Sequence, residues 1–158
     1  MNRERIICFT HAGGYARFFN DLERDLPNIG FIKLEYPGHG KRGKEDLLTD
    51  ISLIVDDMYK AFLNCYTGES YSMLGYSMGG IIVAELLKVI IADKVVKAPH
   101  DVFICSCNPH DRKDISSLSP VEFDAWIKDR IEYYNEVPDD KSIADLFWKM
   151  YMPLYRSD

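Results

Sequence analysis

No stretch of this sequence is both long and apolar enough to cross a membrane. Its most apolar run, Ile81 to Ala92, is broken by Glu85 and Lys88, whereas a spanning helix needs about 20 predominantly apolar residues. No basic, apolar leader opens the chain, so the expectation is a soluble, cytoplasmic protein with no membrane partner. Positive charge is in deficit, with 19 Lys and Arg against 25 Asp and Glu. That balance argues against nucleic acid as the main partner. Cysteine is sparse: Cys8, Cys65, Cys105 and Cys107 form no C-x-x-C and no zinc spacing. The expectation is therefore no metal and buried free thiols, with Cys105 and Cys107 on one face of one strand. Internal repeats, low-complexity tracts and linkers are also missing. The 158 residues make one domain's worth of chain, and a 47% hydrophobic content can build a core for it.

What is present alternates in period. Arg5 to Thr10 is a short, nearly continuous apolar run, as in a strand buried on both faces of a parallel sheet. It ends in His11-Ala12-Gly13-Gly14. Phe18, Phe19, Leu22 and Leu26 then recur at helical spacing, and Pro27-Asn28 stops that helix. Phe31 to Tyr36 reads as a second strand and Pro37 to Gly43 as a loop. Asp50 is placed to cap a helix running to about Tyr66, with Ile51, Ile54, Val55, Met58, Phe62 and Leu63 on one face. Tyr71 to Leu74 is a third strand, Met78 to about Asp93 a helix, and Asp101 to Cys105 a fourth strand. This pattern predicts a mostly parallel α/β sheet with right-handed crossovers. In the strand order 2-1-3-4 the switch point falls between the first and third strands, where ligands bind beyond the carboxyl ends. Those two ends carry the His11–Gly14 segment and Ser77.

Ser77 lies in Gly75-Tyr76-Ser77-Met78-Gly79, a G-x-S-x-G sequence between the third strand and its helix. A serine on a sharp strand-to-helix turn stands clear of the sheet, and its glycines relieve crowding between crossing backbones. The pattern alone would arise by chance in about one chain in twenty of this length; its strand–turn–helix setting raises its weight. The alternative is a glycine-rich turn whose serine caps the helix. For acyl transfer, Ser77 would be the nucleophile. The amide of Met78 and one from the Ala12–Gly13 segment would be the oxyanion donors, with Gly13 and Gly14 allowing close backbone approach. His11 reads as a structural hydrogen-bonding residue rather than a base.

Beyond the fourth strand the character changes. Asn108-Pro109-His110 is a loop, and Ser119-Pro120-Val121-Glu122 starts a helix with Phe123, Trp126, Ile127, Ile131 and Tyr134 on one face. A second helix begins near Asp140 and carries Ile143, Leu146, Phe147, Met150 and Tyr151. Two aromatic-rich helices with no strand between them suit a lid over the site; the alternative is core helices packed on the sheet.

Three segments taken together are more specific. Thr10-His11-Ala12-Gly13-Gly14, then Glu35-Tyr36-Pro37-Gly38-His39-Gly40-Lys41-Arg42, then Leu74-Gly75-Tyr76-Ser77-Met78-Gly79-Gly80 resemble the type II thioesterases of non-ribosomal peptide and polyketide synthesis. Pro99 to Pro109 and Met152 to Asp158 resemble later parts of the same family, so the likeness runs through the whole chain in order. It implies an α/β-hydrolase fold, with residues 1–110 as core and 115–158 as helical lid region. It also implies hydrolysis of acyl or aminoacyl thioesters on the phosphopantetheine arm of an acyl or peptidyl carrier domain, an editing role. The phosphopantetheine would belong to the substrate, with no cofactor of the protein's own. By the resemblance Ser77 is the nucleophile, and the amides of Met78 and Ala12 form the oxyanion hole. Lys41, Arg42 and Lys44 are candidate contacts for an acidic carrier, or a solvated loop.

The chain departs from the family where the triad should be completed. The resemblance places the acid and the histidine after later strands, and this sequence carries no such strands. His100 precedes the fourth strand, and His110, Asp111 and Asp114 follow it without a pattern that marks a base. The expectation is a hydrolase fold lacking its C-terminal strands, with the fourth strand an open edge suited to self-association. Another esterase or acyltransferase of the same fold, or a carrier-binding module without catalysis, are the alternatives.

Overall fold

In a computed structural model, residues 4–107, 117–133 and 137–158 are described. Strands β1 (Arg5–Phe9), β2 (Gly30–Lys33), β3 (Tyr71–Tyr76) and β4 (Val102–Cys105) form one parallel sheet in the order β2-β1-β3-β4. This is the order supposed in locating the switch point. Helix α1 (Asn20–Asp25) follows a 3-10 turn at Ala16–Phe19, and α2 (Ile51–Cys65) and α3 (Met78–Asp93) complete the crossovers. Pairing of Phe9 with Gly75 brings the end of β1 beside the end of β3, so the segments that follow them emerge together.

Alternate residues of the strands face opposite ways. One face, with Ile7, Phe9 and Met73, packs under Ile54, Val55, Met58 and Phe62 of α2 and Ile82, Val83, Leu86 and Ile90 of α3. The other face carries Ile6, Cys8 and Leu74, which pack with Phe19. Cover on this second face is thin. Of the four apolar residues expected to form a helical face there, only Phe19 is buried, and Phe18, Leu22 and Leu26 are exposed. A 3-10 turn and a six-residue helix cannot present one continuous stripe.

Asp50 caps α2 as its position suggested, its carboxylate accepting from the Ser52 N–H. Helix α4 (Pro120–Tyr133) opens on a reciprocal cap: Ser119 N–H donates to Glu122 Oε2 at 2.8 Å, and Ser119 Oγ accepts from Glu122 N–H. Asp140 caps α5 (Lys141–Ser157) through the Ser142 and Ile143 amides. Neither helix lies in the core as a whole. No described α4 residue is buried, and on α5 the expected face is largely exposed at Ile143, Leu146 and Met150. Burial on α5 falls instead at its last turn, on Met152, Leu154, Tyr155 and Ser157. Arg156 ties that turn to α4 by a two-pronged ion pair with Asp124.

Two expectations about the sheet's far side are corrected. Cys105 is exposed rather than buried, because β4 is the outermost strand. Cys105 and Cys107 do not share one strand face, since β4 ends at Cys105 and Ser106 turns the chain with φ 51°. All four cysteines are free thiols, and burial pushes the Cys8 thiol up to about 12. Among the described residues no cluster of His, Cys, Asp and Glu could hold a metal, and no helix is long and apolar enough to cross a membrane.

Candidate active site

Ser77 stands between β3 and α3 with φ 54° and ψ −118°, a backbone conformation that L-residues rarely adopt. Two bonds over-determine it. The Ser77 N–H donates to the Cys105 carbonyl at 2.8 Å, and the Ser77 carbonyl accepts from the Gly80 N–H at 2.9 Å. Although Ser77 occupies the N-cap position, its side chain makes no capping bond. The helix-cap alternative therefore fails, and the hydroxyl makes no hydrogen bond to any other described residue. The flanking glycines are steric necessities: a Cβ on Gly75 would overlap the Gly79 carbonyl, and one on Gly79 would overlap that of Phe9.

Beside this turn runs the His11–Gly14 loop, closed by a Gly14 N–H bond to the His11 carbonyl at 3.0 Å. His11 Nδ1 donates to the Ala12 carbonyl at 2.9 Å, and its ring packs against Phe18 and Tyr76. This is the structural role expected for it. Gly13 takes φ +67°, and its N–H donates to Asp158 Oδ2 at 2.6 Å. Of the two loop amides that the sequence left open as donors, Gly13's is thus engaged, while Ala12's has no partner among the described residues. Met78 begins α3, where an amide has no intrahelical acceptor. A cavity of about 200 Å³ opens against the loop, lined by His11, Gly13, Tyr15, Phe147, Tyr151 and Tyr155 among others. A larger one of about 570 Å³ shares Tyr15, Arg17 and Tyr151 with it and is bordered also by Lys33, Glu35 and Lys41.

Beneath the loop lies a buried polar pair that the sequence did not reveal. His39 is fully buried, with Nδ1 2.9 Å from the Pro37 carbonyl and Nε2 3.0 Å from Asp158 Oδ2. Burial opposes the charged ring, but the Asp158 carboxylate and the Pro37 carbonyl outweigh it, so the ring's pKa is raised. Tyr36 donates to the Thr10 carbonyl at 2.9 Å, and burial with the nearby Asp158 charge holds its phenol well above the ordinary range. None of the three described histidines is hydrogen-bonded to Ser77. His11 and His39 are engaged as above, and His100 pairs with Asp101 before β4, at the opposite end of the strands. His110, Asp111 and Asp114 lie outside the described residues.

Arg42 is not an open contact for a partner. Its guanidinium donates to Asp57, Glu45 and the Glu35 carbonyl, and these carboxylates raise its pKa further. Lys41 and Lys44 form no salt bridge among the described residues.

A strained serine between a parallel strand and its helix, with a glycine-bearing loop alongside, is the frame in which known proteins become informative. Residues 4–158 match the thioesterase domain family. The chain belongs to this family. Among solved structures it resembles the RedJ thioesterase of the prodiginine pathway in Streptomyces coelicolor, with a TM-score of 0.81, 22% identity and 98% of this chain covered. It also resembles ClbQ of the colibactin NRPS/PKS pathway, with a TM-score of 0.77, 26% identity and 99% covered. A probable cadicidin biosynthesis thioesterase of Streptomyces griseus is 32% identical over 82 residues, 51% of this chain. This thioesterase chain spans 58% of RedJ, 67% of ClbQ and 22% of the cadicidin protein. Its structural neighbours include the type II thioesterases BorB and YbtT, and its fold is that of an α/β-hydrolase.

Proposed function

We propose that this thioesterase hydrolyses acyl or aminoacyl thioesters carried on the phosphopantetheine arm of a carrier domain, with an editing role in non-ribosomal peptide or polyketide synthesis. The observation that carries the reading is the strained, uncapped Ser77 beside a loop with one uncommitted amide, at Ala12. In this reading Ser77 Oγ attacks the thioester carbonyl carbon. An O–C bond forms and the C–S bond breaks, and the sulfur leaves with the electron pair and takes up a proton. A thiol of pKa ~8–9 needs little acid assistance to leave. The amides of Met78 and Ala12 receive the oxyanion. Water then releases the acyl group from Ser77. None of the described histidines is bonded to Ser77, so the reading assigns it no base among the described residues.

Support comes from the family, from relatives named for cadicidin and gramicidin S biosynthesis and from the aromatic cavity against the loop. A fluorophosphonate should modify Ser77, and Ser77→Ala should abolish the modification. Thioester on a carrier domain should react in preference to a small p-nitrophenyl ester; preference for the small ester would point to a general esterase instead. A folded chain that shows no modification at Ser77 overturns the reading for this chain.

The open edge supports a second reading, in which another chain completes the sheet. Phe103 and Ile104 on the outermost strand are each 47% exposed, and unpaired strand edges recruit partners. Sedimentation showing a monomer at all concentrations would remove it.

A further inference from the structure

The last turn of α5 sits directly on the loop that carries the candidate oxyanion donor. A Cβ on Gly13 would lie 2.6 Å from Tyr155 Cε1, so the two are in van der Waals contact with nothing between them. Three residues further along, the Asp158 side chain is only 3% exposed, and its Oδ2 accepts from both Gly13 N–H and His39 Nε2. The His39 ring therefore faces two oxygen acceptors, Pro37 O and Asp158 Oδ2. Only a ring protonated on both nitrogens donates to both, and such a ring in turn fixes the carboxylate in place.

We propose that Asp158, held by His39, is a positioning residue for the oxyanion loop. It takes the Gly13 amide out of play and locks the turn so that Ala12, and not Gly13, is the loop amide presented to the reacting oxygen beside that of Met78. Without the carboxylate the Gly13 amide has no partner, and the peptide between Ala12 and Gly13 is free to rotate within a glycine-rich turn. Asp158 touches no reacting atom; it acts through the loop. The use of the loop rests on the thioesterase reading, but the locking is a property of the fold and is measured separately.

The test compares wild type, Asp158→Ala, Asp158→Asn and Leu154→Ala in uniformly ¹⁵N-labelled protein. Leu154 is a buried anchor of the same turn with no bond to the loop, so it reports what loosening the helix end does by itself. The Gly13 amide proton should lie downfield in wild type, move upfield in Asp158→Ala with loss of exchange protection, and stay in place in Leu154→Ala. The rate of Ser77 modification by a fluorophosphonate should fall about tenfold or more in Asp158→Ala, given that whole oxyanion donors are worth about 10²–10³. Asp158→Asn keeps an acceptor oxygen and should recover most of that loss. Should Asp158→Ala fail to fold, Asp158→Asn against Leu154→Ala gives the same comparison. An unmoved Gly13 amide in folded Asp158→Ala overturns the proposal, as does a modification rate within about twofold of wild type. If wild type itself is not modified, the thioesterase reading falls, and the Gly13 signature decides this inference alone.

Discussion

Gly79 and Phe9 approach so closely that a single added carbon would not fit: a Cβ on Gly79 would overlap the Phe9 carbonyl oxygen. Helix α3 thus crosses the end of β1 backbone against backbone, and this crossing sets the distance between the Ser77 turn and the His11–Gly14 loop. Gly79→Ala must push the helix off the sheet. Overpacking of this kind costs about 1–3 kcal/mol. The urea midpoint should fall accordingly, and Ser77 modification should be lost in the fraction that remains folded. A variant as stable and as reactive as wild type would mean that the crossing does not set the site's geometry.

Ser77 itself is strained. At φ 54° and ψ −118° a residue with a Cβ is held against its preference, at a cost of about 1–3 kcal/mol. Ser77→Gly should therefore be more stable than Ser77→Ala by about 1 kcal/mol, and both should be inert to fluorophosphonate. Thermal or urea denaturation of the two variants side by side measures the strain without the chemistry. Equal stabilities would show that the turn carries none.

The parts of this site that were legible in the sequence are the local ones. Ser77, its glycines and the Asp50 cap are each specified within a few residues, and the four strands stand out as short apolar runs. His39 and Asp158 were not legible as a pair. They are 119 residues apart, and a buried ion pair leaves no periodic trace. Where α5 is anchored was not legible either, because apolar residues recur along its whole length and burial falls only on Met152, Leu154, Tyr155 and Ser157. Only the fold shows that the turn around Tyr155, not the face around Leu146, is buried and meets the His11–Gly14 loop. Cys105 was misjudged for a related reason: whether an apolar strand is buried depends on what lies beyond it.

Arg42 was a candidate contact for an acidic carrier, and the structure makes it a latch. Its guanidinium bridges Asp57 of α2, Glu45 and the Glu35 carbonyl, joining the loop after β2 to the helix that follows. Removing it leaves Asp57 without its cation, and hydrogen bonds to charged groups contribute about 1.5–3 kcal/mol. Arg42→Ala should therefore destabilise by about 1–3 kcal/mol, and Arg42→Lys should recover little, because one ammonium cannot reproduce the fork. Charge reversal at Lys41 and Lys44 should instead leave the urea midpoint nearly unchanged. If Arg42→Ala unfolds at the wild-type midpoint, the latch contributes nothing to stability.

The His39–Asp158 pair also sets how stability responds to pH. The ring's pKa is raised in the fold: burial disfavours its charge, but Asp158, the Pro37 carbonyl and the more distant Glu35 favour it more strongly. The other groups facing the ring, Tyr36 and Tyr15, are phenols that stay neutral through this range. A group whose folded pKa lies above its unfolded one binds the extra proton in the native state. Its contribution is complete below the unfolded value of about 6.5 and is lost as pH rises through the folded value. The urea midpoint should therefore decline as pH is raised above about 6.5, and His39→Gln should flatten that decline while lowering the plateau below it. His100 is raised in the same direction by Asp101, but that pair is on the surface, where such contacts contribute little. Running the series in a His100→Gln background separates the two. A decline that survives His39→Gln in that background would place the proton elsewhere.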